Sequence, residues 1–168
     1  MPTRTSNFRE ILRILAEQKV QFIVVGGVAA VLQGAPIQTF DLDLVHSRKP
    51  ANLTRLLSAL ESIDAHFREH QDRKIKLRLS NLDISGHLLL ATSEGPLDIL
   101  GTIGEELGYD ELKTDSVSVV IGQGLRVRVL KLNKYIEVKE KLGREKDKAI
   151  LPILRGLVEE KQRQKKKR

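Results

Sequence analysis

The stretch from residue 22 to residue 45 constrains the fold more than any other part of the chain. It begins with Phe22–Val25, four apolar residues that are rich in β-branched types and too few for a helix, which predicts a buried strand. The pair Gly26-Gly27 ends this strand, and a run of helix formers continues from Val28 to a stop at Gly34. A strand, two glycines and a helix bring backbone N–H groups and a helix N-terminus to one point, which predicts a site for an anion.

The end of the same stretch, Asp41–Val45, alternates between acidic and apolar residues with a period of two. In a strand, Asp41 and Asp43 would share one face at a separation of about 7 Å, while the leucines that follow each of them would enter the core. Two neighbouring carboxylates repel each other unless a cation lies between them. A phosphate-binding turn followed by a carboxylate pair therefore predicts metal-assisted phosphoryl chemistry.

These residues resemble the nucleotidyltransferase signature of the DNA polymerase beta superfamily, in which a glycine pair and a short helix precede an Asp-x-Asp motif. Here Gly26-Gly27 and Asp41-Leu-Asp43 are separated by 13 residues. Two later stretches support the resemblance: Pro96–Leu100 matches the strand with the third carboxylate, and Lys139–Asp147 resembles the C-terminal helix-turn motif. The matched pieces extend from about residue 20 to about residue 155. The chain is most similar to minimal bacterial nucleotidyltransferases related to the abortive-infection toxins.

The resemblance implies a mixed α/β fold, in which a sheet bears three carboxylates on one face, helices pack on the other and a helical segment follows at the C-terminus. It also implies that Asp41 and Asp43 bind the Mg²⁺ ion of a nucleoside triphosphate, and that Asp98 completes a second Mg²⁺ site and activates the attacking hydroxyl. Gly27 would let the backbone approach the phosphates, and Gly26 would serve the tight turn. The alternatives are an ordinary acid pair at a solvated strand end and, for Asp98, an acid bonded to backbone amides near a turn.

Charged residues near the C-terminus form a second candidate set. The resemblance implies that Lys139 and Arg144 face the nucleotide phosphates and that Asp147 supports them, whereas the sequence alone indicates charges on a helix surface. One position departs from the family pattern. Relatives carry an arginine in the segment that matches Pro36–Asp41, and Ile37 stands in its place. The missing cation puts the catalytic rate or the nucleotide choice in question.

The predicted function is Mg²⁺-dependent transfer of a nucleotide from an NTP, such as ATP, to a hydroxyl acceptor. The toxin-type relatives imply an RNA or tRNA end as acceptor and a cognate antitoxin as partner. The competing hypothesis is a nucleotide- or RNA-binding protein that keeps the fold and has lost turnover. Ile37 favours that hypothesis, and the three intact aspartates argue against it.

Length and charge predict one domain, residues 1–160, followed by a basic tail, residues 161–168, that is expected to be disordered. The tail holds six cations and no acid, so that the rest of the chain has a net charge of only +1. Such a tail either contacts nucleic acid or is a solvated end. The chain has no cysteine, which excludes disulfides and thiolate metal sites, and no apolar run of 18 residues. We therefore expect no membrane span, and the polar N-terminus indicates a cytoplasmic protein.

A further set of cations, Arg126, Arg128 and Lys131, would share one face of a predicted hairpin, either as an RNA-binding surface or as an ordinary exposed strand face.

Periodicity predicts the remaining elements. The predicted elements are helices at about 7–18, 50–64, 109–113, 132–142 and 146–160, a loop at 65–74, a strand at 74–80, and hairpins formed by 88–91 with 97–100 and by 116–121 with 125–130.

Overall fold

The computed structural model describes residues 6–70 and 72–168; residues 1–5, at the start of the predicted domain, and Gln71, in the predicted loop, lie outside this part. Seven strands in the described ranges form one mixed sheet. The strands are β1 (Phe22–Val25), β2 (Leu42–His46), β3 (His66–Phe67), β4 (His87–Thr92), β5 (Gly95–Leu100), β6 (Ser116–Val120) and β7 (Arg126–Leu130), in the spatial order β3-β4-β5-β2-β1-β7-β6. The α-helices are α1 (Phe8–Glu17), α2 (Gly26–Leu32), α3 (Pro50–Ser62), α4 (Leu79–Leu82), α5 (Tyr109–Lys113), α6 (Leu132–Leu142) and α7 (Leu151–Lys166).

The centre of the sheet is formed by β1, β2 and β5. Strand β1 pairs antiparallel with β2, and β2 pairs parallel with β5. The hairpins β4–β5 and β6–β7 extend the sheet on either side. The pairing sets Val25 opposite Asp43, and Asp43 opposite Asp98. The two predicted strands are therefore confirmed, and they lie next to each other in the sheet with the glycine pair directly after β1.

Apolar side chains cover both faces of the sheet. On one face, Val24, Leu44 and Ile99 pack against α1 and α3. On the other face, Val25 and Leu100 pack with residues of α2, α5, α6 and α7. Because side chains alternate along a strand, Asp43 and Asp98 share the second face with these two residues. The predicted mixed α/β fold is confirmed, with the difference that helices also cover the face that bears the carboxylates.

The ends of three helices follow capping rules that can be recognised in the sequence. Asn7 caps α1 because its side-chain oxygen accepts a hydrogen bond from the Glu10 N–H at 3.3 Å. Helix α3 begins at Pro50, where a missing N–H is harmless. Helix α6 spans the predicted residues and ends at Gly143, whose φ of 59° is the left-handed conformation that glycine accepts best.

The strand predicted at residues 74–80 is wrong. In the described part of this segment, only Lys76 pairs with the sheet, through an isolated bridge to His66, and the segment then enters α4. Arg78 N–H donates to Asn81 Oδ1 at 2.8 Å, and such local side-chain bonds favour a helix start over a ladder. The predicted loop at 65–74 also contains regular structure, since β3 and a 3₁₀ helix at Arg68–His70 lie in its described part.

The C-terminal helix lies further along the chain than predicted. It begins at Leu151 instead of about residue 146 and continues to Lys166, so that it includes residues 161–166 of the predicted basic tail. Lysine, arginine and glutamine are good helix formers, and residues 161–166 contain no glycine or proline. Across the described ranges, every helix is too short or too polar to cross a lipid bilayer.

Candidate active site

Two carboxylates on neighbouring strands form the centre of the candidate site. Asp43 on β2 and Asp98 on β5 are direct partners in the parallel pairing, so their side chains leave the sheet side by side. The side chain of Asp98 is only 13% exposed. Burial raises the pKa of Asp43 to about 7, and the charge and hydrogen bond of Asp98 add to the rise. The pair therefore holds a proton, or a cation in its place, close to neutral pH.

The remaining predicted carboxylate, Asp41, lies at the edge of this pair. Asp41 immediately precedes β2 and is half-buried, and its charge makes a smaller contribution to the raised pKa of Asp43. The Thr39 hydroxyl donates to the Asp41 carbonyl at 3.3 Å, which fixes the backbone before the strand. In residues 6–70 and 72–168, however, no three histidine, cysteine, aspartate or glutamate side chains converge as a metal site. The structure thus brings Asp43 and Asp98 together and leaves Asp41 beside them.

The glycine pair is required by close packing against the same site. Gly26 has a φ of +68°, and a Cβ atom there would lie 2.2 Å from Asp43 Oδ2. A Cβ atom at Gly27 would lie 2.7 Å from Thr39 Oγ1. Any other residue at Gly26 would displace the Asp43 carboxylate, so this glycine sets the position of the acid as well as the turn. Gly27 is explained here by the Thr39 contact.

An arginine that the sequence did not single out completes the site. Arg68 Nη2 donates to Asp98 Oδ1 at 2.6 Å and to the Leu90 carbonyl at 3.1 Å. Arg68 lies in the 3₁₀ helix after β3, and its charge partly lowers the pKa of Asp43. Its Nε is buried and has no hydrogen-bond partner among the described residues. This contact could not be expected from the sequence, because it joins a segment without periodicity to a residue 30 positions later in the chain.

Lys139 and Asp147 form a second ion pair. Lys139 Nζ lies 2.6 Å from Asp147 Oδ1, and the Asp147 side chain is only 4% exposed. The ammonium group also lies 4.9 Å from the centre of the Tyr135 ring. Tyr135 belongs to the same apolar cluster as Val25, the β1 partner of Asp43, which places this side of α6 towards the carboxylates. The expected support of Lys139 by Asp147 is therefore present as a direct bond.

Arg144 is predicted for the site and three further cations for a hairpin face, and none of the four forms an ion pair within the described residues. Arg144 is exposed at the start of the 3₁₀ helix Glu145–Asp147 and forms no ion pair within the described residues. Arg128 donates to the Ser116 hydroxyl at 3.0 Å across the β6–β7 hairpin. Arg126 and Lys131 are exposed. The contact with Ser116 explains Arg128 without a ligand, and the role of the strand face in RNA binding stays a prediction.

Ile37 occupies the position where the family pattern has an arginine. It is half-buried and packs against the core cluster that includes Ala35 and Leu154. The substitution therefore removes a charge and supplies an apolar contact between the segment before β2 and the C-terminal helix. The site keeps its carboxylates and loses one phosphate-binding candidate.

Comparison with known proteins supports the fold. No protein-family model and no curated protein matches the chain. The chain is similar in structure to a protein from Thermotoga maritima that is described as a putative nucleotidyltransferase. The two are 18% identical, and the match covers 86% of this chain and 88% of that chain with a TM-score of 0.55. The seven-stranded mixed sheet with its helices is therefore a nucleotidyltransferase-like fold.

Proposed function

We propose that the chain is a nucleotidyltransferase that moves a nucleotide from an NTP to a hydroxyl acceptor with the help of Mg²⁺. The observation that carries the proposal is the pair of buried carboxylates, Asp43 and Asp98, side by side on parallel strands with Gly26 against one of them. A nucleotidyltransferase needs acidic side chains at this place to hold the metal ions that bind the triphosphate.

The donor set fits a hard divalent cation. Carboxylate oxygens are the ligands that Mg²⁺ prefers, and burial beside Asp98 raises the pKa of Asp43, so that a bound cation would offset an unfavourable negative charge. Asp43 and Asp98 would hold the ion, with Asp41 as the further ligand at the edge. When bound, Mg²⁺ would neutralise the carboxylates and polarise the phosphoryl oxygens.

The chain's own residues would orient the two reactants. The oxygen of the acceptor hydroxyl would bond to the α-phosphorus of the NTP, the bond from that phosphorus to the bridging oxygen would break, and pyrophosphate would leave. The hydroxyl proton would pass to Asp98, the carboxylate that the resemblance assigns to the attacking hydroxyl. Lys139, held by Asp147, would supply positive charge for the phosphates.

The finer assignments are proposals that rest on the family resemblance. They are an RNA or tRNA end as acceptor, a toxin role and a cognate antitoxin as partner. The resemblance also proposes Gly27 and Arg144 as phosphate contacts, although the geometry around each is explained without a ligand.

A second candidate function has its own support. Ile37 packs into the core where a phosphate-binding arginine is expected, and the guanidinium of Arg68 already occupies one oxygen of Asp98. Both features are expected of a protein that binds nucleotide or RNA without turnover. A binder of this kind would keep affinity for NTP and show no transfer.

Transfer of label from α-³²P-labelled NTPs to total RNA, in Mg²⁺, separates the two functions. For an enzyme, we expect transfer by the wild type and a loss of about 100-fold or more in Asp43→Asn and Asp98→Asn. Asp110→Asn, which changes an exposed acid on α5, is the matched control and should retain activity. Transfer that survives in both site variants would overturn the mechanism.

Thermal melting tests the ligands without turnover. At ten times its dissociation constant, Mg²⁺ with NTP should stabilise the wild type by about 1.4 kcal/mol, or about 3–6 °C. Asp41→Asn should reduce this gain sharply. An equal gain in the wild type and in Asp41→Asn would remove Asp41 from the site.

A further inference from the structure

A groove runs along the β3–β4 edge of the sheet, next to Asp98. One cavity of about 510 Å³ and a second of about 430 Å³ share Phe67 and Ile75 as walls. We call their joint surface the edge groove. Its lining includes Phe67, Ile75, Lys76, Arg78, His87 and Leu89. The volume of the first cavity is in the range of pockets that hold a small organic group such as a nucleotide.

The edge groove adjoins the candidate active site through two contacts. Leu89 is the direct antiparallel partner of Asp98, so the two side chains leave the same face of the sheet. Arg68, the residue after Phe67, donates to Asp98 Oδ1 at 2.6 Å. A ligand on Leu89 would therefore lie beside Asp98, on the side away from Asp43. Phe67 pairs with Leu90 and its side chain leaves the other face, so the groove crosses the edge of the sheet.

The groove offers flat apolar contacts. Phe67 is half-buried and packs against the core, which holds its ring in place. Ile75 and Leu89 are 40% and 42% exposed, although both are aliphatic. Histidines 70 and 87 line the same cavity. An aromatic ring with aliphatic and imidazole neighbours is a surface on which a nucleobase can stack.

Positive charge follows the rim of the groove. Residues 73–82 contain four arginines and lysines and no acid. Lys74 pairs with Asp64 at 3.0 Å, whereas Arg73, Lys76 and Arg78 are exposed and form no ion pair within residues 6–70 and 72–168. Glu69 is the acid that lines the first cavity. Free cations spaced along an apolar groove suit a ligand that alternates bases with phosphates.

We infer that the edge groove binds the single-stranded end of a polynucleotide, with a base on Phe67 and phosphates along Lys76 and Arg78. The bound strand would cross the sheet edge from Phe67 to Leu89, and its terminal hydroxyl would then lie beside Asp98. The inference rests on the proposed function only for that last step, because binding in the groove requires no catalysis. It also gives the alternating segment 74–79 a role: its cations and aliphatic residues serve a ligand in place of a neighbouring strand.

The first experiment measures the affinity of the full chain for a 5′-fluorescein single-stranded RNA of 12 nucleotides, without NTP or Mg²⁺, over a series of salt concentrations. The double variant Lys76→Gln/Arg78→Gln should weaken binding and reduce the slope of log affinity against log salt by about 1.4, since each phosphate contact on a single strand contributes about 0.7. The matched control, Lys19→Gln/Lys113→Gln, removes two exposed cations on other elements and should leave the slope unchanged.

The aromatic contact is tested with Phe67→Leu, which keeps an apolar side chain in the core and removes the ring face. We expect an affinity about 5- to 150-fold weaker, the usual effect of losing one base stack. Val120→Ala, an exposed aliphatic residue on β6, is the control and should bind as the wild type. Melting curves of both variants check that the fold is retained.

Cross-linking of an RNA that carries 4-thiouridine at its 3′ end gives the position of that end. The expected product contains a peptide from residues 66–98. The inference is overturned by wild type that does not bind the RNA at low salt, by binding that is lost on deletion of residues 161–168 and unchanged in the groove variants, or by cross-links confined to other segments. A chain that passes these tests and transfers no label would contradict the proposed function alone.

Discussion

Arg68 Nη2 lies 2.6 Å from Asp98 Oδ1, so a side-chain cation neutralises the carboxylate that a metal ion is proposed to share with Asp43. Both side chains are mostly buried, at 27% and 13% exposure. The contact stabilises the site while no ligand is bound, because two buried acids would otherwise face each other without positive charge. A metal ion that binds Asp98 must therefore compete with Arg68 for the carboxylate.

Replacement of Arg68 separates these two effects. Arg68→Ala should lower the free energy of unfolding by about 1–3 kcal/mol, since Asp98 loses a charge-assisted hydrogen bond in a buried place. The same variant should bind Mn²⁺ more tightly, because the competing cation is gone. Urea unfolding and titration calorimetry measure the two changes.

Arg73→Ala is the matched control for this prediction, since Arg73 is exposed and forms no ion pair within the described residues. It should leave both quantities unchanged. If Arg68→Ala binds Mn²⁺ as weakly as the wild type, Arg68 and the ion do not share Asp98.

The raised pKa of Asp43 predicts a pH-dependent stability. Burial raises this pKa to about 7 from its usual value of 3.8. The folded state therefore binds the proton more tightly than the unfolded state, and stability falls as the pH rises between these two values. Asp43→Asn cannot ionise, so its stability relative to the wild type should increase from about pH 4 to about pH 7 and then level off.

Urea unfolding of both proteins across this range, without metal, measures that difference. Groups that do not interact with Asp43 titrate equally in the two proteins and cancel. Asp110→Asn should show no such trend against the wild type, because its side chain is exposed. A difference between Asp43→Asn and the wild type that stays constant with pH would mean that Asp43 is ionised throughout.

The centre of the site could be predicted from the sequence because it depends on local patterns. The β-branched strand before Gly26 and the period of two around Asp43 each specify a strand without knowledge of its neighbours. The family resemblance supplied the connection to Asp98, which the parallel pairing then confirmed.

The edge of the site could not be predicted in the same way. Arg68 reaches Asp98 only because β3 and β4 pair at the sheet edge, and a strand of two residues leaves no periodic signal. The segment Lys74–Ser80 has the pattern of a strand, but its exposed aliphatic residues line the edge groove and its backbone turns into α4. In both cases tertiary packing overrides the local pattern.

The Lys139–Asp147 pair allows a structural role to be separated from phosphate binding. Lys139→Met leaves the Asp147 carboxylate buried without its cation and should lower the free energy of unfolding by about 3–5 kcal/mol. The double variant Lys139→Met/Asp147→Leu removes both charges and should recover most of that loss. Lys148→Met, which breaks an exposed pair with Glu145, should change stability by less than about 1 kcal/mol.

Affinity for NTP in the stable double variant then reports on Lys139 itself. If Lys139 binds the phosphates, the double variant should fold as the wild type and bind NTP more weakly. Wild-type affinity in the double variant would leave the pair with a structural role only.

Ile37→Arg restores the cation that the family pattern has near the triphosphate. The position is half-buried against the core cluster of Ala35 and Leu154, so the variant should lose about 1–2 kcal/mol of stability while its long side chain reaches solvent. Ile37→Gln loses the same packing without gaining a charge and is the matched control. Against that control, we expect NTP to bind up to about tenfold more tightly, as one charge-assisted hydrogen bond of about 1.4 kcal/mol would allow. Equal NTP affinity in the two variants would show that residue 37 does not face the phosphates. The lack of an arginine at position 37 would then not bear on whether the protein turns over NTP. The choice between enzyme and binder would depend on the carboxylates alone.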